Sequence, residues 1–262
     1  MHVTAIGQVF VKATRFLQPA QVEVAQDGIR NDRLFALMEE TGKLVDSDQH
    51  RTFLPLEFHY QAESERLHLT LPDGTVIEGP ATGDGPRSDL DHYGLRIVTC
   101  AEVSGPWADA LSTYAGRPMR LVRCLTARAA IDVFPITLLT TGSLARLAHE
   151  IGAPVDATRF RAGFVIEQPD PHAEDGWDGC KLRVGEALLR VRTSVPRCAV
   201  TGFNPSSGAR DQDVMRGLIK YRDKVSLPDG LIPGYATPGF ASYAEVLEPG
   251  AVACGDRVFV ES

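Results

Sequence analysis

Residues 67–77 carry the pattern that most limits the fold. Leu67, Leu69 and Leu71 alternate with His68 and Thr70, Pro72-Asp73-Gly74 interrupts, and Thr75-Val76-Ile77 resumes. A period of two puts the leucines on one face of a strand, and Pro-Asp-Gly supplies the reversal. The spacing therefore predicts a β-hairpin. Similar short runs recur along the chain. In the first half they are 3–11, 21–24, 33–38 with a return at 40–43, 96–100 and 119–124. The second half has 134–139, 164–166, a hairpin of 182–184 and 188–191 around Gly185-Glu186, and 257–260. Helical spacing is confined to 107–114, to the stretch with Leu144, Leu147, Ala148 and Ile151 on one face, and to 211–224. Residues 79–91 and 227–240 read as loops. Many short strands with few helices predict a mainly β chain, a β-barrel decorated by helices.

Composition sets outer limits. The 262 residues are 44% hydrophobic and 23% charged, which suits one large or two small globular domains. A net charge of -7 argues against non-specific nucleic-acid binding. No apolar run reaches the roughly 18 residues that span a bilayer, and residues 1–5 lack the layout of a signal peptide. The expectation is a cytoplasmic protein. The five cysteines, at 100, 124, 180, 198 and 254, include no Cys-x-x-Cys pair, so a zinc knuckle or iron–sulfur cluster has little support. No P-loop, Gly-x-Ser-x-Gly elbow or Gly-x-Gly-x-x-Gly fingerprint occurs. Cys100 and Cys124 close apolar runs and read as structural.

Cys198 is the residue with most chemical content. It follows Arg197 where an apolar run, Val195-Pro196, gives way to a polar turn. The adjacent guanidinium favours thiolate, both a soft ligand and a nucleophile. Cys198 can hold a metal, carry sulfur or fill space. Lys12, Arg33, Arg161 and Arg197 stand at strand edges; converging, they bind an anion, and scattered, they are surface charges. Asp132 lies in an apolar context, as a general acid or base or as a hydrogen-bonded structural acid. The acids around His172, from Asp170 to Asp178, read as a solvated turn.

These segments resemble the MOSC family, named for the C-terminal domain of molybdenum cofactor sulfurase, and within it the proteins that carry an N-terminal MOSC β-barrel domain. The residues that match are Asp132 to Leu144 with Pro135-Ile136, then Arg159-Phe160-Arg161-Ala162-Gly163, Glu174-Asp175-Gly176-Trp177, Leu182 to Ala187, Arg197-Cys198 through Gly208, and Gly255-Asp256-Arg257-Val258. In the first half Val11-Lys12 and Asp32-Arg33-Leu34-Phe35 match more loosely. Ala13, Asp48 and Pro196 depart from the family pattern, and Asp48 would repel a cofactor phosphate. The resemblance implies an N-terminal β-barrel domain over 1–120 and a MOSC domain over 121–262. It also implies a molybdenum cofactor with Cys198 as metal ligand and Asp132 beside the metal. Lys12, Arg33, Arg161, Arg197, Thr201 and Asn204 would bind the pterin and its phosphate.

The activity so implied is reduction of N-oxygenated, N-hydroxylated small molecules. The electrons would come from a separate reductase of ferredoxin, haem or flavin type, because the chain carries no haem, flavin or ferredoxin signature of its own. Two other readings stay open. In one, Cys198 carries a persulfide as a sulfur carrier or sulfurtransferase, which the departures at Ala13 and Asp48 favour slightly. In the other, the chain is a non-catalytic binding module.

Overall fold

The computed structural model describes residues 1–47, 50–92, 96–126, 130–131, 133–228, 231–232 and 234–261. The first half runs β1 (Val3–Ile6), β2 (Gln21–Ala25), β3 (Gly28–Ile29), β4 (Phe35–Glu39), β5 (Glu57–Gln61), β6 (Arg66–Thr70), β7 (Val76–Pro80), β8 (Arg87–His92), β9 (Arg96–Glu102), α1 (Trp107–Ala115) and β10 (Met119–Cys124). The second runs β11 (Ile136–Thr140), α2 (Thr141–Ile151), β12 (Phe164–Ile166), β13 (Lys181–Val184), β14 (Ala187–Pro196), α3 (Val214–Ile219), β15 (Lys224–Ser226), β16 (Ala236–Glu248), β17 (Gly250–Ala253) and β18 (Val258–Glu261).

The chain is mainly β, as the short alternating runs require. One sheet has the order β1-β12-β11-β16-β14-β13-β18, with β15 on the side of β16. Its two ends meet: Val3 N–H donates to the Asp256 carbonyl and Val258 N–H to the Met1 carbonyl, each at 2.9 Å, beside a bridge from His2 to Arg257. The result is a nearly closed barrel. Its interior is filled by inward-facing residues such as Leu138, Phe164, Leu182, Leu189, Ala244 and Val258, all buried. Strands β4-β10-β9-β8 and β5-β6-β7 form a half-barrel. Phe35, Phe58, Leu67, Leu69 and Leu121 fill it, and α1 caps it with Trp107 and Leu111. Trp107 has no exposed surface, and its ring N–H is satisfied by the Pro80 carbonyl at 2.7 Å. Among the described residues no helix is long and apolar enough to cross a membrane.

The predicted hairpin is β6–β7, with Gly74 at φ +87° in the turn and the Asp73 carboxylate accepting from Thr75 N–H at 2.9 Å. Other expectations need correction. The strand expected over 3–11 stops at Ile6, because Gly7 is where the chain crosses the Phe16 ring. A Cβ there would lie 2.0 Å from that ring and 2.3 Å from the Ala162 carbonyl oxygen. Beyond it the chain leaves the barrel, and Val11 bridges Phe35 in the half-barrel. The loop expected over 79–91 contains β8, an edge strand whose polar face hid it. The helix expected over 211–224 shrinks to α3, since Asp211 is bound to Arg159 and Asn204 instead of starting a helix. The loop expected over 227–240 ends in β16, whose Pro238, Gly239 and left-handed Ala241 (φ +69°) mask the longest strand of the described residues.

Candidate functional site

The residues that leave the barrel at Gly7 also wall its mouth. A cleft of about 220 Å³ lies between the barrel and the half-barrel. Its walls come from the 7–16 crossing, the turn before β4, the approach to β11, the segment before β12 and the end of β14. Lys12, Arg33, Arg161, Arg197, Cys198 and Thr201, drawn from four separate stretches of the sequence, all line it. The turns and the β14 end that carry them converge because barrel and half-barrel meet there.

Each cation is held. Lys12 is buried, with Nζ donating to the Ala130 carbonyl at 3.0 Å. Arg33 pairs with Asp32, whose other oxygen accepts from Val9 N–H at 2.8 Å. Arg161 donates through Nη1 to the Thr14 carbonyl at 2.9 Å. The Phe16 ring lies near both guanidiniums, with Arg161 Cζ 5.0 Å and Arg33 Cζ 5.8 Å from its centroid. Ala13, Arg33 and Arg161 have φ of +69°, +52° and +51°, and all three line the cleft. Non-glycine residues reach that region only where their surroundings force it, so backbone strain is concentrated at this site.

Arg197 is turned further inward than its sequence neighbourhood indicates. Nε donates to the Phe240 carbonyl at 2.7 Å and Nη1 to the Phe160 carbonyl at 2.9 Å, tying β16 to the segment before β12. Burial lowers its pKa to about 10, against the pull of Tyr243, Cys198 and Glu174. Its Nη2 is buried with no hydrogen-bond partner among the described residues. Cys198 follows directly, half-buried at the cleft. Its carbonyl accepts from Thr201 Oγ1 at 3.0 Å, which fixes the turn that presents the thiol.

Asn204 is not in the cleft wall. Its amide donates to Asp211 Oδ2 at 2.9 Å, and the same oxygen accepts from Arg159 Nη2 at 2.7 Å. Arg159 does line the cleft, and the sequence reading passed over it. Its Nη1 also reaches the Thr201 carbonyl at 3.4 Å, and its hydrogen bond holds the Asp211 carboxyl below the usual range. The available signal was the Asp156 turn, whose carboxylate accepts from Thr158 N–H and directs Arg159 inward. Phe16 and Tyr243 are further cleft residues without a sequence signal. Asp132 and Asp48 lie outside the described residues; Ile131 and Val133, on either side of Asp132, both line the cleft.

Among the described residues no group of three or more His, Cys, Asp or Glu side chains could hold a metal ion. A metal here would need most of its ligands from a cofactor. One thiol beside clustered cations, with an orphaned guanidinium nitrogen among them, fits an anionic, sulfur-rich group.

The nearly closed barrel and the thiol in a cation-lined cleft define a class in which a β-barrel end presents one cysteine among cationic side chains. A family model, the MOSC domain, matches residues 126–259, and the chain belongs to that family. Mitochondrial amidoxime reducing component 2 of Bos taurus is 24% identical over 98% of this chain and 83% of that protein. Mitochondrial amidoxime-reducing component 1 of Xenopus laevis is 30% identical over 95% of this chain and 79% of that protein. Molybdenum cofactor sulfurase of Danio rerio is 22% identical over 81% of this chain, which spans 29% of that protein.

Proposed function

We propose that this chain is a molybdenum-cofactor-dependent oxidoreductase that reduces N-oxygenated small molecules, with Cys198 as the protein's ligand to the metal. The observation that carries the reading is the convergence of Cys198 with Lys12, Arg33, Arg161 and Arg197 in one cleft. Relatives named for amidoxime reduction supply the substrate class.

The bound cofactor would supply a two-electron reduction that removes oxygen from an N–O bond, giving amine and water. The residues of this chain do the rest. Lys12, Arg33 and Arg161 neutralise the cofactor's phosphate, and their existing bonds to Ala130, Asp32 and Thr14 hold them in place before it arrives. Arg197 keeps one buried N–H pair for an acceptor beside the thiol. Thr201 holds the Cys198 turn, and Asn204 acts one step back through Asp211 and Arg159. Phe134, Val133 and Tyr243 form the apolar side that excludes water. Asp132, between two cleft residues, is assigned proton delivery to the departing oxygen. Electrons come from a separate ferredoxin, haem or flavin reductase.

The test is molybdenum and pterin content of protein made in a host that synthesises the cofactor, with Cys198→Ser alongside. Near-stoichiometric molybdenum that falls sharply in the variant supports the assignment. Equal molybdenum in both removes Cys198 as ligand. No molybdenum in either, with an extra sulfur on Cys198 by mass spectrometry, replaces the reading with sulfur transfer.

A further inference from the structure

Cys100 and Cys124 face each other across two adjacent strands. They are register partners in the antiparallel pair β9–β10, with Cys100 Sγ 3.7 Å from Cys124 Sγ. The neighbouring pair is the hydrogen-bonded one, since Leu125 N–H donates to the Thr99 carbonyl at 2.9 Å. Cys124 N–H instead turns to the Leu34 carbonyl on the other side of the strand. Cys100 and Cys124 therefore occupy a non-hydrogen-bonded pair, the site of closest approach between antiparallel strands, with Cα atoms typically about 4.5 Å apart. That spacing lies inside the range a disulfide spans.

Access comes from a second cavity, of about 640 Å³, which shares Ile29, Asp32, Arg33 and Ile131 with the cleft. Cys124 lines this cavity, whereas Cys100 behind it has no exposed surface. The two thiols are thus unequal: one faces an entry path and the other waits within reach. We infer that Cys100 and Cys124 form a redox-modification site, in which a small peroxide oxidises Cys124 and Cys100 resolves it to an intrachain disulfide.

The atoms balance with hydrogen peroxide as oxidant. The Cys124 thiolate attacks one peroxide oxygen, the O–O bond breaks, and water leaves after protonation, giving a sulfenic acid. Cys100 sulfur then attacks Cys124 sulfur, the S–O bond breaks, and a second water leaves. Two thiols lose two electrons and two protons in all. The polarity of the pair agrees with this order. The hydrogen bond from Cys100, with the Lys12 ammonium adding to it, lowers the pKa of the Cys124 thiol against the effect of burial. The Cys100 thiol is pushed up, by the same hydrogen bond and by burial. Neither step involves the cofactor reading. The bond would fix the end of β10 to β9, at the root of the segment that carries Ile131 and Val133 into the cleft.

The experiment treats the folded, reduced protein with graded hydrogen peroxide, blocks remaining thiols by alkylation, and maps peptides without reduction. A Cys100–Cys124 linked peptide, lighter than the two thiol peptides by about 2 Da and reversed by dithiothreitol, is expected. Cys254→Ser should keep the link. Cys100→Ser, checked for native circular dichroism, should leave a sulfenic acid on Cys124 that dimedone captures. Full alkylation of both residues while Cys254 oxidises would overturn the inference. So would a Cys124 that goes straight to sulfinic acid in the wild type.

Discussion

Arg159 donates to Asp211 across 2.7 Å, and this ion pair straps the wall of the cleft to the loop beyond Asn204. The guanidinium side is 4% exposed and the carboxylate side 35%. Removing the acid therefore leaves a nearly buried cation with only part of its bonding. Asp211→Asn should destabilise the fold by about 2 kcal/mol, read from urea unfolding midpoints. Arg159→Met with Asp211→Asn should recover part of that loss. Equal midpoints for wild type and Asp211→Asn would show that the pair is solvent-screened.

The left-handed backbone at the cleft offers a second measurement. Ala13 is buried at φ +69°, and glycine reaches that region without a Cβ penalty. Ala13→Gly should stabilise the protein by up to about 1 kcal/mol. Arg161, at φ +51°, separates strain from charge. Arg161→Gly and Arg161→Ala should both lower cofactor occupancy, and the glycine variant should be the more stable of the two. Unchanged occupancy in both would return Arg161 to a purely structural role.

Gly7 sets a steric limit. The alanine methyl in Gly7→Ala would fall within the Phe16 ring and against the Ala162 carbonyl. A cost of about 3 kcal/mol is expected, with cleft function lost as well, because Phe16 is the ring beside Arg33 and Arg161. Wild-type thermal stability in Gly7→Ala would mean that Phe16 moves freely.

His172 makes the fold sensitive to acid. Burial, helped by Arg222, lowers its pKa to about 4 from an ordinary 6.5. Its ring packs near Tyr221 and Phe240 at centroid distances of 5.5 and 5.9 Å. Between the two pKa values the unfolded chain binds a proton that the folded chain does not. Stability is full above the ordinary value and falls as pH drops toward 4, by at most about 1.4 kcal/mol per pH unit. His172→Asn tolerates the left-handed φ of +61° and removes the titration. Its stability should decline less across that window, after allowing for His50, whose pKa burial also lowers. An identical decline in the variant would assign the effect elsewhere.

Much of this molecule could be read from pattern. Alternation found β6 and β10, and turn residues found the returns at Gly42, Gly74 and Gly185, all at positive φ. What stayed hidden was decided by neighbours distant in sequence. β8 is polar because only one of its sides is paired, and β16 is interrupted by bulges that its partner β14 dictates. The cations that line the cleft were named from expected strand edges, yet only Arg197 follows a strand directly; Lys12, Arg33 and Arg161 sit in turns. Arg159 was not named, because it lies one turn of backbone from Arg161 and only the fold decides that both face inward. Arg197 shows the opposite limit: its proximity to Cys198 was plain, but two of its nitrogens are committed to backbone carbonyls.

Barrel closure has a consequence for how the chain is made. Val3 pairs with Ile166, and its N–H reaches Asp256. β1 is therefore made long before its partners and carries an unpaired edge until β12 and Asp256 follow. The half-barrel, with its nearer pairings, can organise early. The cleft cannot, because its walls are drawn from both ends of that wait. The cleft is in this sense a record of assembly order, and a ribosome stalled before β18 would hold a chain with its cations made and its barrel still lacking the strand that pairs β13.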